Sequence, residues 1–284
     1  MFPSPVHQLV ALALCGTEIV VRAVRIRLLM PEVDLSFRQA ITVNAYGDAA
    51  SAVTPGRLGG EPARFVGFRR AGIEAPRVLA GLAVETLIDW VLLAVATLAL
   101  SIAFAETAVA GVRRLAALAA GPGARVFVMI VGALIGLSGV LLWWYRRRSI
   151  SEAPSTLALA WRSARALGAR RVALAGALTA LSMATRTAIL PVLVAGVAGL
   201  APGAVVLGSF VLLFGQLALP TPAGAGGVEL GFVGGFSGTL GPDALAALLL
   251  AWRTWTTIVG AALGAILFAR GALLGWSGSR GAKE

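Results

Sequence analysis

Two short breaks in an otherwise apolar sequence decide the fold: TPGRLGGE at residues 54–61 and TPAGAGGVE at residues 221–229. Each break has Thr-Pro, then Gly-Gly, then a glutamate, and each follows an apolar segment, at 37–53 and 203–219. Proline stops the incoming helix because it has no backbone N–H to donate, and paired glycines allow close backbone approach. A short segment returns after each break, at 62–70 and 230–236, so we expect two broken-helix hairpins whose returning helices begin near Gly60 and Gly227.

The composition around these breaks is typical of a membrane protein. The 284 residues are 58% apolar and 13% charged, with 35 glycines, whereas soluble domains have about 25% charged residues. Five segments have roughly the 20 residues that a spanning helix needs: 6–30, 78–104, 124–145, 172–200 and 243–269. We therefore predict an all-α, polytopic, single membrane domain over 1–284. Its first half is about 6–104, its linker helix and connection 124–171, and its second half about 172–269.

Positive charge predicts the orientation of these spans. The net charge is +11, and the connection 146–171 has seven arginines against one glutamate, so we place it in the cytoplasm. Counting spans from there puts the C-terminus inside the cell and makes the protein multi-pass in the cell (inner) membrane. The first hairpin then enters from the cytoplasm and the second from outside, so the two halves are predicted to be inverted repeats, an arrangement typical of transporters.

The composition also excludes several function classes. The basic residues lie at the ends of apolar segments, which indicates membrane topology and not a nucleic-acid partner. Cys15 and His7 are the single residues of their types, so we expect no disulfide, no Cys/His metal site and no cofactor. The sequence has no phosphate-binding loop of the ATPase type. We predict no catalytic residues.

Charged residues inside the predicted spans are the next candidates, because each costs roughly 2.5–3.5 kcal/mol at a helix centre. Glu85 and Asp89 share one helix face, whereas Arg186 and Arg253 lie within two later spans. We expect these charges to pair, for example Glu85 with Arg253. The alternatives are buried ion pairs that only fix packing, and glutamates at 61 and 229 that only cap the following helices.

The predicted substrate-binding or translocation residues combine the two breaks with these charges. They are Pro55, Gly56, Arg57, Gly59, Gly60, Glu61, Arg64, Glu85, Asp89, Arg186, Pro222, Gly224, Gly226, Gly227, Glu229 and Arg253, with Asn44, Asp48 and Gln216 as weaker candidates.

These motifs resemble a known family. The run TPGRLGGEPARFVGFRRAGIEAPRVLAGLAVETLIDW and the later LLFGQLALPTPAGAGGVELGFVGGF with LLLAWRTWT are similar to the transmembrane domain of lysylphosphatidylglycerol synthases and its stand-alone flippase-like relatives. Thr86 stands where that family frequently has arginine, which alters the expected charge network. The soluble aminoacyltransferase domain of the full synthases is not in this sequence. The resemblance therefore implies the lipid-moving activity without the lipid-modifying one.

Three function classes follow. The first is a flippase-like translocator that moves a phospholipid, with an anionic or amine-bearing headgroup, or a lipid-linked saccharide between leaflets. The second is a non-transporting membrane partner of a separate aminoacyl- or glycosyltransferase. The third is an intramembrane lipid-modifying enzyme, which the lack of a nucleophile or metal constellation disfavours.

Overall fold

Helices make up the regular structure of the described residues, which are 3–110, 113, 162–163 and 165–278 of this computed structural model. We number the helices within those ranges as follows: α1 Pro5–Leu29, α2 Phe37–Val53, α3 Gly60–Arg70, α4 Ala75–Ala103, α5 Ala169–Leu193, α6 Pro202–Gly215, α7 Gly227–Phe236, α8 Pro242–Arg253 and α9 Val259–Gly278. A 3₁₀ turn, Gln216–Ala218, follows α6, and a π-helical turn, Thr254–Ile258, joins α8 to α9.

Three runs of helix are long and apolar enough to cross a membrane: α4, α5 and the continuous run Pro242–Gly271. They confirm three of the five predicted spans. Helix α1 has a spanning length, but Glu18, Arg22, Arg25 and Arg27 lower its hydropathy, so its membrane crossing stays a prediction. The predicted span 124–145 lies outside the described residues.

Both hairpins are formed as the breaks predicted. Helices α3 and α7 begin at Gly60 and Gly227 and have 11 and 10 residues. At 1.5 Å per residue they are only about 15–16 Å long, roughly half of a bilayer's hydrocarbon core. Neither can span a membrane, which favours re-entrant hairpins over two full helices joined by a turn.

The two breaks share the turn that follows their prolines, and they touch each other. Pro55 and Pro222 form an antiparallel β-bridge between them. In each break, the two residues after proline have left-handed φ angles: 56° and 60° at Gly56 and Arg57, and 49° and 68° at Ala223 and Gly224. Aligned in this way, Glu61 is the second residue of α3 but Glu229 is the third of α7. The sequence-based matching of these two glutamates is therefore shifted by one residue.

Helices α2 and α6 reach this contact from opposite ends of the molecule. At one end, residues near the end of α1 and the starts of α4 and α5 line one pocket: Glu32, Arg77 and Arg171. At the other end, Gly199 lies beside Thr239, and Phe104 beside Gly203. The loops are thus grouped as the charge pattern requires, whereas the side of the membrane that each group faces stays a prediction.

The two halves of the sequence interlock. Helix α1 packs extensively along α5, and α2 packs along α9. Gly264 of α9 makes the second contact close, because a Cβ on it would lie 1.9 Å from the carbonyl oxygen of Ala45. Gly264 therefore serves the close packing of α9 on α2, as small residues do at helix crossings in membranes.

The described residues contain three buried apolar clusters. The first surrounds Trp252, Phe232 and Leu190, the second surrounds Phe68, Ile26 and Val43, and the third surrounds Leu29, Val84 and Ile88. The outer face of α4 instead exposes Trp90, Val95 and other large apolar side chains. Such a surface is expected where lipid is the solvent.

Candidate functional site

A cavity of about 310 Å³ opens between α1, α2, α3, α4, α5 and the end of α6. Its lining has two characters. Nine charged side chains line it: Glu18, Arg22, Arg25, Asp48, Arg57, Glu61, Arg64, Asp89 and Arg186. Five large apolar side chains also line it: Trp90, Leu93, Met183, Phe214 and Leu217. One space can therefore hold a polar group and an apolar group at the same time.

One charge cluster is centred on Glu85 of α4, and we call it the outer cluster because it contains the partly exposed carboxylates of Glu61 and Asp89. The Glu85 carboxylate is buried (2% exposed) and accepts hydrogen bonds from Arg25 of α1 and Arg64 of α3. Arg25 also bonds to Asp89 and to the Thr179 hydroxyl, at 2.6 Å each. Arg64 completes the cluster with a 2.9 Å bond to Glu61. The i,i+4 spacing of Glu85 and Asp89 explains how both carboxylates reach one arginine.

The inner charge cluster joins α1, α2 and α5. Arg22 donates to both oxygens of Asp48, at 3.0 and 2.9 Å, and to Glu18 at 3.4 Å. Arg186 lies 3.7 Å from Glu18 and donates at 2.9 Å to the backbone carbonyl of Thr256. That carbonyl lies in the π-helical turn, where a widened helix commonly marks a functional position.

Helix α1 supplies the side chains that the sequence analysis missed. Glu18, Arg22 and Arg25 are not among the predicted site residues, yet all three line the cavity. Their spacing of four and three residues places them on one helix face. The argument applied to Glu85 and Asp89 would have identified them.

The second break has its own ion pair. Arg253 donates to Glu229 at 3.0 Å and to the carbonyl of Ala223 at 2.9 Å, and Glu229 accepts the Gly226 N–H at 2.7 Å. The expected pairing of Glu85 with Arg253 is therefore wrong, because each residue is saturated by nearer partners. Glu229 caps α7 through the Gly226 N–H, as the capping alternative described, and it also pairs with Arg253, which the sequence analysis did not predict.

The predicted site residues fall into three groups. Lining the cavity are Arg57, Gly60, Glu61, Arg64, Asp89 and Arg186. Glu85 is buried behind the lining, where it bonds to two cavity arginines. The remaining residues shape the breaks or fix the second one: Pro55, Gly56, Gly59, Pro222, Gly224, Gly226, Gly227, Glu229 and Arg253. Of the weaker candidates, Asp48 lines the cavity, whereas Asn44 and Gln216 are buried.

Trp252 of α8 and Trp255 of the π-helical turn serve packing. Trp252 is 1% exposed and stacks at 5.7 Å against Phe232. Trp255 donates to Gln8 of α1. Within the described ranges, no group of three or more His, Cys, Asp or Glu side chains is arranged to hold a metal ion.

Comparison with protein families identifies the family of this chain. The family model described as "Lysylphosphatidylglycerol synthase TM region" matches residues 4–264, which includes both breaks and every cavity residue. The search of curated proteins found no match to this chain.

Proposed function

Since the chain belongs to the lysylphosphatidylglycerol synthase transmembrane-region family, we propose that it is a flippase-like translocator of membrane lipids. The observation that carries the proposal is the mixed lining of the 310 Å³ cavity. A lipid has a polar headgroup and apolar chains, and this cavity offers charged partners to the first and large apolar side chains to the second.

The headgroup would lie against the charged residues of α1, α3 and α5. Unpaired charges are costly in an apolar medium, so a headgroup needs such partners when it leaves water. The acyl chains would leave past Trp90 and Leu93 of α4 and Phe214 and Leu217 of α6 and its 3₁₀ turn. We place the protein in the cell membrane with a cytoplasmic C-terminus, as the charge pattern predicts.

The two touching breaks give the headgroup a short route. Half-length helices from opposite ends leave non-helical backbone only in the middle, where it lines or borders the polar space. Arg57 and Gly60 of the first break both line the cavity. Small movements of these loops would open the cavity toward one end or the other.

The test is lipid translocation in proteoliposomes. We would reconstitute the full chain with fluorescent phosphatidylglycerol, phosphatidylethanolamine or a polyprenyl-linked sugar, and quench the outer leaflet with dithionite. Wild-type protein should expose the inner-leaflet probe faster than empty liposomes do. Glu61→Gln, in the cavity, should slow that exposure several-fold.

The matched control is Glu74→Gln. Glu74 also forms an i,i+3 pair with an arginine, Arg77, but its side chain is 71% exposed and lies outside the cavity. It should leave translocation at the wild-type rate. If wild-type protein moves none of the three probes, the translocator proposal is contradicted, and the non-transporting partner of a transferase becomes the better reading.

A further inference from the structure

Arg57 differs from the other arginines of the cavity. Four of them are held by carboxylates: Arg22, Arg25, Arg64 and Arg186. In the part of the chain that the structure describes, Arg57 has no carboxylate within the 4.0 Å of an ion pair, although it lines the cavity. Its guanidinium is therefore available to a ligand.

The backbone at Arg57 is one that favours glycine. Its φ angle is 60°, and the matching residue of the second break, Gly224, has φ 68°. A side chain with this φ costs about 1–2 kcal/mol. The first break has a long cationic side chain, Arg57, at the position where the second break has glycine. The turn itself therefore does not require the arginine.

Charge around Arg57 is unbalanced. A void of about 20 Å³ continues the cavity inward, and Arg57 lines it with two further arginines and two carboxylates, Glu18 and Asp48. Both carboxylates are already bonded to Arg22 or Arg186. The inner end therefore carries one excess positive charge. The outer end has the reverse character, because Glu61 and Asp89 have partly exposed carboxylates (53% and 40%) there.

We propose that Arg57 is the phosphate-binding residue of the cavity, and that its ligand is the phosphodiester of a membrane lipid. This inference rests on the proposed function and names the group by which the lipid is held. A guanidinium matches phosphate geometry through two parallel N–H bonds. The acidic outer end repels phosphate, so the headgroup has one orientation, with the phosphate at the inner end.

The test is binding, measured separately from translocation. Dioctanoyl phosphatidylglycerol is titrated calorimetrically into the purified full chain in maltoside detergent, with dioctanoylglycerol as the phosphate-free comparison. Arg57→Gly should weaken phosphatidylglycerol binding by about tenfold or more, the effect of losing a charge-assisted contact. Arg57→Lys keeps the charge but not the two parallel N–H groups, so its affinity should lie between those of the wild type and of Arg57→Gly. Inorganic phosphate is added as a competitor to separate a free anion from a lipid headgroup.

Two controls separate ligand binding from folding. Arg57→Gly removes the left-handed strain, so its thermal stability should equal or exceed that of the wild type while affinity falls. Ala223→Gly relieves the corresponding strain in the second break, where φ is 49°, and should leave affinity unchanged.

The proposal is overturned if Arg57→Gly binds dioctanoyl phosphatidylglycerol as tightly as wild type, or if dioctanoylglycerol binds equally well. Competition by millimolar inorganic phosphate would assign the site to a free anion and overturn the lipid ligand. If Arg57→Gly loses binding while the wild-type protein moves no lipid, the Arg57 site stands and translocation is refuted. If the wild-type protein moves lipid while Arg57→Gly binds it as tightly as wild type, only the Arg57 site is refuted.

Discussion

Glu85 is the residue on which the outer charge cluster depends. Its carboxylate is the shared partner of Arg25 and Arg64, which come from two other helices. A buried ion pair adds little over a well-packed apolar pair, but removing one partner strands a buried charge. The function of this cluster is thus to position α1, α3 and α4 around the cavity.

We predict that Glu85→Gln lowers stability by about 3–5 kcal/mol, the cost of breaking a buried ion pair. The measurement is the apparent melting temperature of the purified protein in detergent. Glu74→Gln is the comparison, because exposed pairs contribute about 0–1 kcal/mol. Equal melting temperatures for the two variants would show that Glu85 is not the structural centre of the cluster.

At the scale of single helices, α5 and α6 are joined at a proline. Pro191 of α5 cannot donate to the carbonyl of Thr187, and the Ser209 hydroxyl of α6 donates to it instead, at 2.8 Å. Thr187 and Ser209 are both buried. The carbonyl of Thr187, which Pro191 leaves without a helical hydrogen bond in α5, is thus the point at which α6 attaches.

This arrangement predicts a double-mutant cycle. Ser209→Ala should cost about 1–3 kcal/mol because it leaves a buried carbonyl unpaired. In a Pro191→Ala background the same change should cost little, since the alanine N–H restores the helical bond. Melting temperatures of the four proteins give the coupling, and additive effects would rule out the proposed role of Ser209.

The sequence predicted where the helices break better than it predicted which charged side chains pair. Proline, glycine and charge in an apolar sequence have few roles, so Gly60 and Gly227 were located correctly as helix starts. Partners depend on how helices pack, which no spacing encodes. The sequence analysis therefore paired Glu85 with Arg253, whereas its partners in the structure, Arg25 and Arg64, lie on α1 and α3. Arg25 was overlooked because the charges within the span 6–30 were not considered as candidates together with those of the later spans.

For the whole molecule, the charge pattern predicts which end faces the cytoplasm. Glu74 and Thr239 are exposed residues at opposite ends. In a Cys15→Ser background, Thr239→Cys should react with a membrane-impermeant maleimide on intact cells, and Glu74→Cys only after permeabilisation. The reverse labelling pattern would invert the proposed orientation without changing the fold.

Movement of one whole half against the other is disfavoured by the packing. The α1–α5 and α2–α9 contacts both cross the boundary between halves, so rigid rocking would separate the largest helix interfaces. The breaks meet at the β-bridge between Pro55 and Pro222, so movement there leaves these helix interfaces in place. We therefore expect local opening at the breaks and not rocking of complete halves.

A cross-link tests this. Residues paired in an antiparallel bridge have Cα atoms about 4.5–5.5 Å apart, within disulfide range. Pro55→Cys with Pro222→Cys, in the Cys15→Ser background, should form a disulfide under oxidation. Translocation should stop on oxidation and return with reductant. Full activity of the oxidised protein would mean that the breaks do not move relative to each other.

The close contact of Gly264 with Ala45 has a genetic consequence. A Cβ on Gly264 would meet the backbone oxygen of Ala45, so no side-chain change at position 45 can make room for it. Gly264→Ser should therefore have no suppressor at position 45, and selection for restored function should return glycine at 264. The first half of the chain thus limits which codons the second half can use, although the two positions lie far apart in the gene.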